Sequence, residues 1–354
     1  YTGTYGTNGF YLPFTPTTQA TGFNTVTYAG SNSTQSITGV GFSPDLVWMK
    51  KRTGATNHIL MDTIRGGTKF LESNTTTAET TVSGLLTFDT DGFSPLGGAG
   101  GINAAGDNYV AWCWDAGSGS PVTNAAGTNG ATIESTYKAN PATGFSVVTY
   151  TGTGGTGTVA HGLGVTPDMV ICRPRNLATH WRVWSNGLTG GTYTMFLNST
   201  GAEAVQTDAF GALPTSTVFS VGVDLNTNTQ PQVAYCFSDV AGYQKIGSYT
   251  GNGSTTGPVV DVGFEPAFVL IKRTDSARGW VIFDNTRNPV NERILSLEPN
   301  VADAEYTNTN AIDFVSNGFQ PKSSGPSWNA SGGNYIYLAI ADTRDAQFNF
   351  DDSG

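Results

Sequence analysis

The stretch VGFSPDLVWMKKR, residues 40–52, decides the fold, because it joins a Gly-Phe-x-Pro turn to a short apolar run that ends in three positive charges. Nearly the same stretch returns as LGVTPDMVICRPR at 163–175 and as VGFEPAFVLIKRT at 262–274. Four apolar residues between a proline and a charge are typical of a central strand that is buried on both faces. The positive residues after each run are expected to mark where the strand returns to water: Lys50 to Arg52, Arg173, Arg175, Lys272 and Arg273.

Further matched segments surround these three stretches. Each copy opens with a β-rich run, namely GFNTVTY (22–28), GFSVVTY (144–150) and GYQKIGSY (242–249), and closes with YVAWCW (109–114), QVAYCF (232–237) or YIYLAIA (335–341). The proline lies 66 residues before the matched valine of the closing strand in copies one and two (Val110 and Val233), and 70 residues before Ile336 in copy three. The order of the segments predicts three tandem copies of one domain of roughly 95 to 105 residues.

The composition favours an all-β protein. The chain has 46 glycines, 12% charged residues and 11% aromatic residues, which is typical of short strands joined by many turns. The nearest approach to a helix, TTAETTVSGLL at 76–86, is too rich in threonine for more than one turn. The closing strands of copies one and two have one bulky and one small face, as expected for a strand covered on both sides. We therefore predict three tandem β-sandwiches of a jelly-roll-like type.

The matched segments also predict domain boundaries. Residues 1–20 are expected to be the end of a preceding domain or a linker, and residues 344–354 the start of a following segment, so that the chain is a piece of a longer protein. Between them we place repeat 1 at 21–117, a linker at 118–143 whose middle can add an edge strand, repeat 2 at 144–240 and repeat 3 at 241–343. Repeats 2 and 3 meet near Ala241 and are expected to pack as a rigid pair.

The charge balance argues against two kinds of partner. A net charge of −10 opposes binding to nucleic acid, which requires clustered Lys and Arg. No apolar run approaches the roughly 20 residues that span a bilayer, and the first ten residues lack the blocks of a signal peptide. We expect neither a nucleic-acid partner nor insertion into a membrane.

Cysteine and histidine residues do not predict a reactive site. His58 and His180 follow their prolines by 14 and 13 residues, and no nucleophile turn such as GxSxG is present. His161 lies beside a turn in VAHGLG and is expected to be exposed. The three cysteines form neither a CxxC pair nor a metal-binding pattern, and we interpret them as small buried hydrophobes: Cys113, Cys172 and Cys236.

Carboxylates are the remaining candidates for acid-base chemistry. Glu79, Glu203 and Glu305 recur in all three copies, which favours a turn or hydrogen-bond anchor over a catalytic group. DTDG at 89–92 resembles the start of a calcium loop, but the glutamate that closes such a loop is missing, so we predict a hairpin turn. The sequence therefore predicts no enzyme, no metal site and no cofactor.

Two acid-base pairs share one spacing. Asp62 with Arg65, and Asp284 with Arg287, form a DxxR pattern that is predicted to pair within a turn. Repeat 2 has SNGL at 185–188 in the same place.

Tryptophans are candidates for contact with a glycan or a partner surface. Trp48, Trp112 and Trp114 lie in predicted strands and are assigned to the core. Trp328 lies in the turn-rich loop GPSWNASGG, where an exposed ring can stack on a sugar, and Trp184 is a weaker candidate for the same role.

The motif order resembles a family of virion proteins of tailed marine bacteriophages, usually described as tail fibre or minor structural proteins. The resemblance covers roughly residues 20–345. The segments that carry it are GFSPDLVWMKKR, DTIRGGTKFLESNTT, FDTDGF, NYVAWCW, YTGTGGTGTVAHGLGVTPDMVICRPR, TSTVFSVG, VAYCF, GSYTGNGSTTGPVVDVGFEPAFVLIKRTD and NASGGNYIYLAIADTRD. Repeat 2 departs from the pattern, because it lacks the DxxR pair and has RPRN at 173–176.

The resemblance implies a non-catalytic structural protein of an extracellular virion appendage, a tail fibre or a head-attached fibre or decoration. The implied partners are other virion proteins, with a second role in contact with a host surface glycan. How phage fibres are generally built also predicts a homo-oligomer, with a trimer as the expected form. Tandem β domains with few charges suit an inert, stiff spacer.

Two alternatives from other classes stay open. A virion-associated polysaccharide depolymerase would need a unique carboxylate pair in a groove. A bacterial secreted adhesin could use the same fold without any virion.

Overall fold

Apolar runs and alternating segments of the sequence form an all-β structure. The computed structural model describes residues 21–97 and 101–343, and these residues form 26 strands and no helix. The predicted flanking segments 1–20 and 344–354 lie outside the described residues. The strands divide into three lobes, each with a main sheet and an outer sheet.

Lobe 1 contains eight strands. Its main sheet has the order β1-β8-β2-β3-β4-β5, and its outer sheet is the hairpin β6-β7. The strands are β1 Phe23–Ala29, β2 Leu46–Lys51, β3 Ile59–Asp62, β4 Lys69–Glu72, β5 Thr80–Thr81, β6 Leu86–Asp89, β7 Gly92–Pro95 and β8 Asn108–Trp114.

Lobe 2 contains ten strands. Its main sheet has the order β16-β15-β14-β13-β18-β11-β10-β9, and its outer sheet pairs β12 with β17. The strands are β9 Val122–Asn124, β10 Ser135–Asn140, β11 Phe145–Thr151, β12 Gly157–Ala160, β13 Met169–Pro174, β14 Arg182–Ser185, β15 Tyr193–Phe196, β16 Ala204–Val205, β17 Val218–Val221 and β18 Pro231–Phe237.

Lobe 3 contains eight strands in two four-stranded sheets. The main sheet has the order β19-β26-β21-β22 and the outer sheet the order β20-β25-β24-β23. The strands are β19 Gln244–Thr250, β20 Val260–Asp261, β21 Pro266–Arg273, β22 Trp280–Asp284, β23 Arg293–Ser296, β24 Tyr306–Val315, β25 Gly318–Pro321 and β26 Asn334–Ala341.

The quoted stretches are central strands, as predicted. In each lobe the strand that follows the proline lies between the closing strand and a neighbour on its other side: β2 between β8 and β3, β13 between β18 and β14, and β21 between β26 and β22. Alternate residues of such a strand enter different cores. Val47 and Met49 of β2 pack towards the hairpin of lobe 1, whereas Leu46 and Trp48 face the opposite way.

In lobes 1 and 2 the small face of the closing strand lies in the sandwich of its own lobe. Ala111 and Cys113 pack with the outer hairpin residue Phe93 in lobe 1. Ala234 and Cys236 pack with β12 and β17 in lobe 2. Small side chains let the outer sheet approach closely, which explains the recurrence of alanine and cysteine at these positions.

The bulky faces of the three main sheets meet in one central core. Trp114 of lobe 1 places its ring centroid 6.1 Å from Phe145 and 6.3 Å from Phe237 of lobe 2, and 5.9 Å from Phe268 of lobe 3. Trp112 adds a contact of 6.1 Å with Phe268. We expected only repeats 2 and 3 to pack together, but lobe 1 shares the same core with both of them.

The segment predicted as a linker is part of the lobe 2 sheet. Strands β9 and β10 extend the sheet beyond β11, so the predicted edge strand is present and a second strand joins it. Lys138 of β10 also places its Nζ 2.7 Å from Oδ1 of Asp45 in lobe 1. Pairing along a full strand, together with this ion pair, fixes a segment whose composition alone indicated a linker.

The DTDG segment forms the predicted hairpin turn. Asp89 of β6 pairs with Gly92 of β7, and Gly92 has a φ of +111°. A Cβ at Gly92 would lie 2.0 Å from the carbonyl oxygen of Ile37, so only glycine fits. The carboxylate of Asp91 accepts hydrogen bonds from the backbone N–H groups of Gly39 and Gly41 at 3.1 and 2.6 Å.

Candidate functional site

The three recurring glutamates lie at the boundaries between lobes. Their backbone N–H groups donate to the next lobe in the same direction each time: Glu79 to Arg175 O at 2.6 Å, Glu203 to Thr274 O at 2.8 Å, and Glu305 to Arg52 O at 3.0 Å. We call these boundaries seam 1–2, seam 2–3 and seam 3–1. Because the third contact returns to lobe 1, the seams close the lobes into a ring. The predicted role of the glutamates as hydrogen-bond anchors is confirmed.

Seam 1–2 contains a buried cluster of charges. The Nε of Arg65 lies 2.6 Å from Oδ2 of Asp62, which confirms the predicted DxxR pair. Its Nη1 lies 3.1 Å from Glu79, and Arg175 of lobe 2 approaches the same carboxylate at 2.6 Å. The hydroxyl of Tyr235, also from lobe 2, donates to Asp62 at 2.9 Å. Two acids and two arginines therefore balance one another across the seam.

Seam 3–1 repeats this arrangement. The Nε of Arg287 lies 2.5 Å from Oδ2 of Asp284, and its Nη1 lies 2.9 Å from Glu305. Arg52 of lobe 1 reaches Glu305 at 2.8 Å, and the indole N–H of Trp112 donates to Asp284 at 3.0 Å. Trp112 of lobe 1 thus donates to the aspartate of the neighbouring lobe, as Tyr235 of lobe 2 does in seam 1–2.

Seam 2–3 lacks both arginines. Ser185 pairs with Met169 in lobe 2, just as Asp62 pairs with Leu46 in lobe 1. Ser185 and Leu188 therefore occupy the positions at which the other seams have the aspartate and the arginine of the DxxR pair. Thr274 replaces Arg175 and Arg52 as the acceptor of the glutamate N–H. Leu338 pairs with Leu270 in lobe 3, just as Tyr235 pairs with Ile171 in lobe 2, so a leucine replaces the hydrogen-bond donor. Seam 2–3 therefore lacks the aspartate, the arginines and the donor of the other two seams.

The charges in seam 1–2 shift the pKa values of their members. Burial acts to lower the pKa of Arg65, but attraction to Asp62 and to the other polar groups around it outweighs burial and raises that pKa. Burial acts to raise the pKa of Glu79, whereas the hydrogen bond from Arg175 and the charge of Arg65 hold it below its usual range. Both groups therefore stay ionised over the whole physiological range, as a structural ion pair requires.

The first positive residue after each apolar run is buried and still belongs to the central strand, which corrects the expectation that the chain returns to water there. Lys50, Arg173 and Lys272 are 1%, 0% and 0% exposed. Arg173 donates to the carbonyl oxygens of 75, 76 and 77 in lobe 1, and Lys272 donates to that of Thr200 in lobe 2. Arg173 and Lys272 thus satisfy carbonyl groups of the neighbouring lobe, a role that the sequence of a single strand does not reveal. Lys50 donates within its own lobe, to the carbonyl oxygens of Lys51 and Gly54.

The buried lysines predict that stability rises with pH just above neutrality. Burial lowers the pKa of Lys272 to about 7 and that of Lys50 to about 8. The pKa of a lysine in the unfolded chain is about 10.4. Between these values the unfolded chain binds more protons than the folded chain, so the free energy of unfolding rises with pH. We expect a rise of about 1–2 kcal/mol from pH 7 to 8.5 in urea denaturation.

A matched variant isolates the lysine contribution. Lys272→Met cannot titrate and is expected to lose at least half of the rise. The interval ends at pH 8.5 because burial raises the pKa of the three cysteine thiols, which favours the unfolded chain once its thiols ionise. A stability that falls between pH 7 and 8.5, or an unchanged slope in the variant, would contradict the assignment.

One aromatic or imidazole side chain of each lobe enters a seam at the same strand position. The indole N–H of Trp181 donates to the carbonyl of Glu72 at 2.8 Å, and that of Trp280 to the carbonyl of Phe196 at 2.9 Å. His58 occupies the corresponding position in lobe 1. Burial, followed by the charges of Lys50 and Arg287, holds the pKa of His58 well below its usual range. Its Nδ1 accepts a hydrogen bond from Trp48 at 3.1 Å.

The other two histidines also make internal contacts. His161 is 0% exposed, which corrects the expectation that it is exposed. Its Nδ1 accepts from the N–H of Leu163 at 3.2 Å, and burial lowers its pKa to about 4. His180 stacks on Phe196 with ring centroids 4.6 Å apart. The ring nitrogens of His161 bind the backbone of its own turn at Leu163 and that of a distant segment at Thr215, which explains its burial.

Neither candidate tryptophan presents a free ring. Trp184 is 4% exposed and belongs to the outer core of lobe 2, so the expectation of an exposed ring there is wrong. Only its edge lines a surface cavity of about 320 Å³, together with Pro167 and Leu213. Trp328 is half-buried, with its ring edge-on to Phe283 at 5.7 Å. Trp48, Trp112 and Trp114 are buried, as predicted.

Comparison with known proteins gives one match. A family model described as "Domain of unknown function (DUF7483)" matches residues 19–344. The chain belongs to the DUF7483 family. Neither the curated proteins nor the solved structures give a significant match.

Sequence reasoning missed a tyrosine-asparagine latch that the DUF7483 chain uses in every lobe. The Tyr hydroxyl of each opening strand donates to a loop carbonyl: Tyr28 to Ile102 at 2.8 Å, Tyr150 to Leu225 at 2.5 Å, and Tyr249 to Trp328 at 2.6 Å. The next residue is always a fully buried asparagine, namely Asn103, Asn226 or Asn329. The recurring tyrosine was visible in the sequence, whereas its partner lies more than seventy residues away. In lobe 3 this hydrogen bond holds the loop that carries Trp328 against β19.

The cysteines of the DUF7483 chain are free and buried, as predicted. Within the described ranges no group of three His, Cys, Asp or Glu side chains is placed to hold a metal ion. Nor does any helix long and apolar enough to cross a membrane occur in the part of the chain that the structure describes.

Proposed function

We propose that this chain is a non-catalytic structural protein of a bacteriophage virion appendage, a tail fibre or a head-attached fibre or decoration. One observation carries the proposal: the acidic and basic side chains that recur in the sequence are used in contacts between lobes. Arg65, Glu79 and Arg175 join lobes 1 and 2, and Arg287, Glu305 and Arg52 join lobes 3 and 1. A ring held by a shared core and charged seams suits a stiff module that transmits force.

The resemblance to phage fibre proteins gives the proposal its biological setting. Fibres are extracellular, built with other virion proteins and commonly trimeric, and their exposed loops contact the host surface. The many polar loops at the rims of the three lobes offer such surfaces. We propose these partners and this location for the chain, with host glycan contact as the second role.

The experiment that tests the proposal is immunogold electron microscopy of intact particles. Antibody raised against residues 144–343 is expected to label projections of the tail or the head. Label at one of these places would also decide between the two appendages. Particles without label, with the protein recovered from culture fluid, would overturn the proposal.

Such a negative result would favour the two alternatives, a polysaccharide depolymerase and a secreted adhesin. A polysaccharide depolymerase would shorten purified host capsular glycan, whereas a secreted adhesin would bind cells without shortening it. Asp62 and Glu79 share one arginine, and Glu79 has a lowered pKa, so this pair suits a structural role better than proton donation to a glycosidic oxygen.

A further inference from the structure

Seam 2–3 contains a carboxylate that has lost its cations. In the other seams the glutamate binds two arginines, one from its own lobe and one from the next. In seam 2–3 the corresponding residues are Leu188 and Thr274, and Glu203 accepts hydrogen bonds only from the N–H and hydroxyl of Thr189, both at 2.8 Å. Among the described residues Glu203 has no cationic partner. The neighbouring Arg273 places its Nε 2.7 Å from Asp275 instead.

A cleft lies where the two guanidinium groups are missing. Its volume is about 290 Å³, and it is lined by Glu203, Leu188 and Thr189 from lobe 2 and by Thr274, Thr250 and Asn334 from lobe 3. Thr189, Thr250 and Asn334 are exposed, so the cleft opens to solvent. Lobes 2 and 3 pack tightly beside the cleft, because a Cβ at Gly187 would lie 2.8 Å from Ile336 of lobe 3.

The two complete seams show which ligand such a cleft fits. Arg175 approaches Glu79 with two nitrogens, Nε at 2.8 Å and Nη2 at 2.6 Å, and Arg52 approaches Glu305 in the same bidentate way. A planar fork matches a carboxylate in this geometry, whereas an ammonium group makes only point contacts. The net charge of −10 further favours a cationic partner.

We propose that the cleft at seam 2–3 binds a guanidinium group from outside the chain, presented by an arginine side chain of a partner polypeptide. The incoming group takes the place at Glu203 that Arg175 and Arg52 take in the other seams. Leu188 and Thr274 are shorter than the arginines they replace and leave room for the incoming guanidinium group. Seam 2–3 is therefore the place at which the partner polypeptide docks on the ring of lobes. This inference concerns the cleft alone and does not depend on the proposed virion role.

The test is a titration of the ¹⁵N-labelled chain with the peptide acetyl-Gly-Arg-Gly-amide at low salt. Saturable shifts are expected at the amide signals of Thr189, Glu203 and Thr274. The peptide with citrulline in place of arginine has nearly the same shape without the charge and is expected to give none. Glu203→Gln is expected to weaken binding at least tenfold, whereas Glu134→Gln, the same charge change at an exposed site, leaves it unchanged.

A second variant fills the cleft from within. Thr274→Arg restores the residue found in the other two seams and is expected to pair with Glu203, to raise the thermal midpoint and to abolish peptide binding. Absence of a saturable shift with wild-type chain, equal binding of the citrulline peptide, or unchanged affinity in Glu203→Gln would overturn the proposal. Continued binding to Thr274→Arg would place the peptide elsewhere and overturn it as well.

Discussion

Replacing Trp114 with alanine is expected to lower the free energy of unfolding by about 3–5 kcal/mol. The side chain is 2% exposed, and its ring contacts Phe23 of lobe 1 at 4.9 Å in addition to rings of lobes 2 and 3. Truncation would leave a cavity at the point where the three main sheets meet, and the surrounding sheets can collapse only partly into it. The loss should therefore weaken contacts between lobes as well as within lobe 1.

Differential scanning calorimetry and urea denaturation measure both effects. The wild-type chain is expected to unfold in one main transition, and Trp114→Ala in two or more, because the lobes no longer share an intact core. Trp328→Ala is the matched control, since that ring is half-buried and its contacts with Phe283 and Ser323 lie within its own lobe. Trp114→Phe should be milder than alanine. A single transition with an unchanged midpoint in Trp114→Ala would show that the central core does not couple the lobes.

Replacing Arg65 with leucine is expected to cost about 3–5 kcal/mol as well, for an electrostatic reason. The change leaves the carboxylates of Asp62 and Glu79 in place, with side chains that are 0% and 6% exposed. A buried charge that loses its partner costs far more than the pair contributes while intact. The measurement is again the free energy of unfolding in urea at pH 7.

Seam 2–3 supplies a natural control for this prediction. It has Ser185, Leu188 and Leu338 at the positions of Asp62, Arg65 and Tyr235. The triple variant Asp62→Ser, Arg65→Leu, Tyr235→Leu copies that set into seam 1–2. It should be more stable than Arg65→Leu alone, because no buried acid stays unpaired. A triple variant that is less stable than the single one would show that the two seams do not follow the same packing rule.

Much of each lobe could be predicted from the sequence. The runs at 46–49, 169–172 and 268–271 predicted central strands, and the alternation in 109–114 separated a bulky face from a small one; the structure has both. Asp62 with Arg65, and the DTDG turn, were also predicted correctly. In each case the deciding interaction spans only a few residues, so local spacing contains the information.

Other features of the fold and the candidate site needed the tertiary structure. The burial of Lys50, Arg173 and Lys272 contradicts the usual preference of charged residues. For Arg173 and Lys272 it depends on carbonyl groups of another lobe. The burial of His161 depends on the carbonyl of Thr215, 54 residues away. The linker assignment at 118–143 allowed for one edge strand, whereas the structure has two, β9 and β10, because a strand at the edge of a sheet tolerates polar residues.

The sequence by itself determined which residues recur at equal spacing, which strand faces are apolar, and that repeat 2 lacks the DxxR pair. Only the tertiary structure decided that the three bulky faces cover one another, that Glu79 and Glu305 are neutralised by the neighbouring lobe, and that Glu203 is not. The reason is physical: periodicity shows that a face must be removed from water, but burial against any apolar surface satisfies that demand equally well. The identity of the covering surface is set by contacts between residues far apart in the chain.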